Sequence, residues 1–195
     1  MTYKVREDGY PYLSDLLDRE TRPGNALWHV SWGFDVPKLL QRLSGLPVVY
    51  HAHSVGYGFN VPPGLPVVSV SRNTLGYWGN RAPRNPLFLV PNALEQQWID
   101  CGDRSVFEKD SRTKLRSIDV LVQERKSSSY VLNRLVPALR SRGLSVMVQK
   151  GWADDLVGLF NSSIVYLYDS AEYWRASGLS EGFGLPPLEA MACGC

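Results

Sequence analysis

Two glutamates eight positions apart, Glu181 and Glu189, bracket a glycine-rich turn and a proline pair in SEGFGLPPLEAMACGC, residues 180–195. Carboxylates can bind hydroxyls, move a proton or steady a cationic centre, and the residues between these two narrow the choice. Gly182 and Gly184 can take φ > 0 and let a ligand come close to the backbone. Pro186 and Pro187 suit the first turn of a helix, where a missing N–H costs nothing. Leu188, Met191 and Ala192 would supply the buried face of that helix. The free amides and the dipole of such a helix start make a seat for phosphate. Glu189 would then stand in the first turn, in reach of a polyol, and Glu181 at the mouth of the turn.

Other residues with chemistry are sparse. His51 and His53 lie two apart on a strand-like run and so face one side. No third ligand is in reach of them, so no metal is expected, and His51 reads as a packed or hydrogen-bonded histidine. Cys101, Cys193 and Cys195 read as reduced, incidental thiols. Tyr173 and Trp174 stand in a long stretch before Glu181, where they could stack on a ligand or simply pack a loop.

The composition sets the frame. The chain has 195 residues, 44% of them hydrophobic and 21% charged, which is ordinary for a globular protein with a real core. A net charge of +2 with scattered lysines and arginines gives no argument for nucleic acid. The short basic clusters at 112–116 and 140–142 read as solvated faces. No apolar run approaches the roughly 18–20 residues of a membrane span. The N-terminus lacks the apolar core of a secretory signal, so a cytoplasmic location is the default.

Strand-like and helix-like runs alternate along the chain. Residues 1–25 are polar and turn-rich, without a clear period. Strands are expected over 25–32, 46–54, 66–71 and 86–92, with helices beginning near Phe34 and Arg72. Residues 96–116 read as a polar linker, which puts a boundary between segments 26–95 and 117–195. Strands are expected again over 118–124, 144–150 and 164–169. Between them lie a helix over 128–143, interrupted by Pro137, and a short helix capped by Asp154 or Asp155. Such alternation means parallel sheets in an α/β fold, with ligands outside the carboxyl ends of the strands. Arg125, Lys126 and everything after Asp169 fall at those ends.

With these residues in hand, the run E-G-F-G-L-P-x-L-E-A-M-A-C-G resembles the Glu-x7-Glu signature of the family 4 glycosyltransferases, retaining enzymes of the GT-B fold. Weaker matches occur in the same order. His53 resembles the family histidine of the N-terminal domain, and Val70–Ser71 the strand–serine step before a helix. Val90–Pro91–Asn92 resembles the turn that precedes the interdomain linker. Arg125 and Lys126 resemble the family's basic pair, although here they are adjacent rather than separated. The resemblance covers roughly residues 27–195.

The resemblance implies a fold of two Rossmann-type halves, both incomplete, and sugar transfer from a nucleotide diphosphate sugar with no metal and no cofactor. Arg125 and Lys126 would neutralise the diphosphate. The amides of Phe183, Gly184 and Leu185 would hold donor sugar and phosphate, with Gly182 opening the turn. Glu181 would bind the sugar and act at the reacting centre, Glu189 would grip the ribose, and His53 would stand beside the donor sugar. The acceptor is a glycan, a lipid or a small molecule, and peripheral membrane contact through segments outside this sequence stays open.

Family members begin with a further strand and glycine-rich loop and continue beyond the second glutamate. The chain is therefore expected to be a central fragment, and an inactive nucleotide-sugar-binding remnant is the competing expectation. A glycosidase using Glu181 and Glu189 as acid and base is disfavoured. Its carboxylates must flank the scissile bond, whereas these two arise from one turn and helix.

Overall fold

The computed structural model describes residues 4–19, 26–105, 116–169, 178 and 181–195. Seven strands are present among them, and they form two sheets that are parallel throughout.

The first sheet has the order β1 (Trp28–Ser31), β2 (Val48–Ala52), β3 (Val67–Ser69), β4 (Leu87–Leu89). Its register places Val30 opposite Tyr50, Tyr50 opposite Val67 and Val67 opposite Leu87. Side chains alternate between the faces of a strand, so these four share one face. Helices α1 (Leu13–Arg19), α2 (Val36–Arg42) and α3 (Arg72–Arg81) contribute to the same core, through Leu13, Val36, Leu40 and Trp78. Tyr50 meets Trp78 edge to face with ring centres 5.3 Å apart. The opposite face carries His29, Ser31 and His51.

The second sheet has the order β6 (Val146–Gln149), β5 (Ile118–Gln123), β7 (Ser163–Leu167). The central strand is buried on both faces, with Val120, Leu121 and Val122 consecutively buried, as a helix-covered parallel strand requires. Val120 and Val122 pack with Val131, Val136 and Val146. Leu121 packs on the other side with Phe160 of α6 (Leu156–Asn161), Trp98 of α4 (Gln96–Cys101), and Ala190 of α7 (Leu185–Ala192).

All seven expected strands are found, and several local expectations are refined. Leu13–Arg19 forms a helix that hydrophobic period did not announce, held by long-range contacts: Leu13 is fully buried and Arg42 donates to the Ser14 hydroxyl at 2.7 Å. The segment expected as linker contains α4, whose Trp98 packs against Phe160. Pro137 is absorbed by one widened turn over Val131–Leu135, in which the Val136 N–H bonds the Val131 carbonyl five residues back, ahead of α5 (Val136–Arg140). A proline has no N–H to place in an ordinary turn. Asp155, not Asp154, caps α6, accepting from the Gly158 N–H at 2.7 Å. The loop with Tyr173 and Trp174 lies outside the described residues.

Candidate functional site

The carboxyl ends of strands from both sheets converge on a cavity of about 600 Å³. Ser31 and Trp32 reach it from the end of β1, His53 and Ser54 from β2, and Lys126 from the turn after β5. The segment before α7 completes it with Glu181, Gly182, Phe183 and Gly184, and Leu185 and Glu189 enter from α7 itself. The structure thus brings eight of the nine sequence-derived residues to one cavity. Arg125 is the exception. The turn Glu124–Lys126 is a single tight 3₁₀ turn, which points neighbouring residues apart. Arg125 lines a second cavity of about 550 Å³, together with Trp98, Gln149, Trp152 and Asp155. Lys126, Pro186 and Glu189 line both.

The two glycines of the turn do different work. Gly184 is the residue before α7 and has φ = +82°, a left-handed conformation that favours glycine. Gly182 has no positive φ. Instead its Cα abuts the main-chain carbonyl of His53, and a methyl there would overlap that oxygen. The Gly182 carbonyl in turn accepts a hydrogen bond from Ser71 Oγ and a second from Thr74 Oγ1 at 3.2 Å. Ser71 also caps α3, accepting from the Thr74 N–H at 3.1 Å. The close approach that glycine permits is therefore to the first half of the protein itself.

Helix α7 starts at Leu185, so Glu189 stands in its second turn, not the first as the sequence suggests. With Pro186 and Pro187 in the first turn, the exposed amide donors are confined to the mouth of the helix, at Phe183, Gly184 and Leu185. The buried face of α7 is also shifted from expectation. Ala190 and Cys193 are buried, whereas Met191 is 63% exposed and Leu188 is exposed too.

Electrostatics centre on Glu181. Its Oε2 accepts from Lys126 Nζ at 3.2 Å and from the Tyr168 hydroxyl at 3.1 Å. Burial raises the Glu189 carboxyl above the ordinary range, the charge of Glu95 adds to this, and Lys126 opposes it. Burial lowers the His53 imidazole, with His29 contributing. His51 is lowered by burial, then by His53 and His29, whose ring centres lie 4.3 and 5.2 Å from its own. Among the described residues no group of three His, Cys, Asp or Glu side chains is arranged to hold a metal ion.

Three contributors escaped the sequence reading. In the sequence Tyr168 reads only as part of the apolar strand run 164–169. Thr74 follows Ser71 by three positions, a spacing that signals only a helix cap. Arg116, read as part of a solvated basic cluster, instead donates to four main-chain carbonyls. These are Ser163 at 2.6 Å, Asp103 and Cys193 at 2.8 Å, and Phe160 at 3.4 Å. It ties the end of α7 to α6 and β7.

No family model matches the chain, and the search of curated proteins finds no match. Among solved structures it is similar to sucrose-phosphate synthase from Thermosynechococcus elongatus, with a TM-score of 0.58 at 13% identity. The match covers 93% of this chain and 57% of that one, so the chain spans little more than half the length of this neighbour. At such identity the likeness is one of fold. The architecture is α/β and GT-B-like, two parallel-sheet halves with their strand ends facing a shared cavity.

Proposed function

We propose that this chain carries the donor site of a glycosyltransferase that moves a sugar from a nucleotide diphosphate sugar to an acceptor hydroxyl, with retention and without a metal. One observation carries the reading: Lys126, Glu181, the amide-bearing turn 183–185 and Glu189 line a single cavity at strand carboxyl ends. That is the position where open parallel sheets bind ligands. The Glu-x7-Glu resemblance and a GT-B-like neighbour named as a synthase of sucrose phosphate support it.

In this reading residues 117–195 hold the donor, residues 26–95 face the acceptor, and residues 96–116 connect them. The diphosphate sits against the dipole and free amides at the start of α7, and Lys126 offsets its charge. Arg125 approaches the nucleotide from the adjoining cavity. The Glu189 carboxylate accepts from ribose hydroxyls and Glu181 from sugar hydroxyls, while His53 stands beside the donor sugar. The anomeric carbon–oxygen bond breaks, the nucleoside diphosphate leaves, and the acceptor oxygen attacks on the same face. The acceptor proton passes to the departing phosphate oxygen. The three unpaired cysteines fit a reducing, cytoplasmic location.

The test is transfer from uridine, guanosine and adenosine diphosphate sugars, with the product anomer read by NMR. Glu181→Ala and Glu189→Ala should each lower turnover strongly. Undiminished turnover in both variants, or an inverted product, overturns the reading.

A further inference from the structure

The cavity has a second population of side chains that the donor reading leaves unused, and they come from the first sheet. Trp32 follows β1 directly and lines the cavity while remaining 55% exposed. Its φ is +27°, the one positive value among the described non-glycine residues. The main chain is held there by the Trp32 N–H bonding the His51 carbonyl at 3.3 Å, and Gly33 at φ = +122° completes the reversal. A bulky residue in that region is strained, and such strain persists where surrounding structure over-determines it and clusters at ligand sites.

The neighbouring aromatics extend the surface. Phe34 is 72% exposed and meets Tyr57 edge to face at 5.4 Å. Tyr57 lines the cavity, and its hydroxyl accepts from Ser54 Oγ at 2.7 Å. Its ring lies 6.0 Å from Phe59, which packs on the core residue Tyr50. The aromatic wall is thus anchored in the hydrophobic core and open to the cleft.

We propose that Trp32 is the stacking platform for an uncharged carbohydrate acceptor. Its place in transfer rests on the donor reading above; its binding chemistry does not. Indole presents a broad apolar face of negative electrostatic character, which suits the C–H face of a sugar ring. Ser31 and Asn92 line the same cavity and supply hydrogen-bond partners for ring hydroxyls. An acyl chain would need a continuous apolar groove, whereas here the rings alternate with Ser31, His53, Ser54 and Asn92. A phosphorylated acceptor would need a cation on this side. Among the lining residues the one lysine or arginine is Lys126, from the second half, which pairs with Glu181.

The experiment is saturation-transfer NMR on the full chain with methyl α-glucoside, methyl β-galactoside and maltose, and with octanol as the apolar probe. At least one sugar should show saturation of its ring protons. Trp32→Ala should weaken that sugar about 5-fold or more, a loss of the size expected for an aromatic contact. Trp32→Gly removes the ring and also fits the positive φ, so it gives the same result should the alanine variant fold poorly. Trp32→Tyr, which keeps a ring, should restore most of the affinity. Absence of binding by all three sugars, unchanged binding in both ring-deletion variants, or binding of octanol alone overturns the proposal. Uridine diphosphate titrated into the same samples reads the donor site separately. Nucleotide bound without sugar sinks the acceptor assignment alone, whereas sugar bound without any nucleotide sinks the donor reading and leaves Trp32 a carbohydrate platform with no place in transfer.

Discussion

The Cα of Gly182 lies against the main-chain carbonyl of His53, with no room for a methyl between them. The contact joins residues from the two halves, and Ser71 and Thr74 hold the Gly182 carbonyl from the first. Gly182→Ala must therefore push the turn away from β2. Overpacking of this kind costs about 1–3 kcal/mol. The expected result is a lower denaturant midpoint together with weaker nucleotide binding, since the turn also positions the α7 amides. A variant with unchanged stability and binding would show the contact to be slack.

Lys126 and Arg125 are adjacent in sequence, yet Lys126 lines both cavities and Arg125 the second alone. Removing a charged hydrogen-bond donor to phosphate costs about 1.5–3 kcal/mol. Lys126→Met should thus weaken uridine diphosphate roughly tenfold or more, and Arg125→Met should have the smaller effect. Titration calorimetry on both variants checks the order. The reverse order would move the diphosphate into the second cavity.

Arg116 is a structural prediction. Its guanidinium satisfies four carbonyls from the Asp103 loop, α6, β7 and the end of α7. Arg116→Met leaves them in an apolar setting and should cost about 2–3 kcal/mol, read by urea unfolding. The charge also favours the C-terminus of α7. Arg140→Met, whose guanidinium bonds one carbonyl, that of Val146, should cost less.

Stability should depend on pH in two opposite ways. The folded protein favours neutral His51 and His53, because burial lowers both imidazoles from 6.5. Their contribution is complete above that value and is lost as the pH falls through the lowered values. Glu189 is raised from 4.5, so its contribution is complete below that value and is lost as the pH rises through the raised one. Glu189→Gln should therefore melt higher than the wild type near neutral pH, with the difference closing in acid. Thermal melts across pH 4 to 8 measure both slopes.

The strands were legible because their apolar runs and glycine–proline punctuation are local signals. β5 is the clearest case, since burial on both faces writes an unbroken Val-Leu-Val run. The Glu181–Glu189 segment was legible for the same reason: two glycines and two prolines leave few conformations for a turn. What the sequence hid is long-range or depends on a boundary. Helix α1 is fixed by contacts to α2 and the first core rather than by its own period. Glu189 moved into the second turn because the helix begins one residue after Gly184. The partner of Gly182 is a carbonyl more than a hundred residues earlier, and no spacing rule finds it. Arg116 looked like solvated charge because a guanidinium on main-chain carbonyls leaves no partner in the sequence pattern.

The most direct measurement is titration of uridine, guanosine and adenosine diphosphates into the full chain by calorimetry, in the presence of a chelator. Saturable binding of at least one nucleotide, unaffected by the chelator and weakened in Lys126→Met and Glu189→Gln, is the predicted result. No binding by any of the three, or binding that needs a divalent ion, would contradict the central claim.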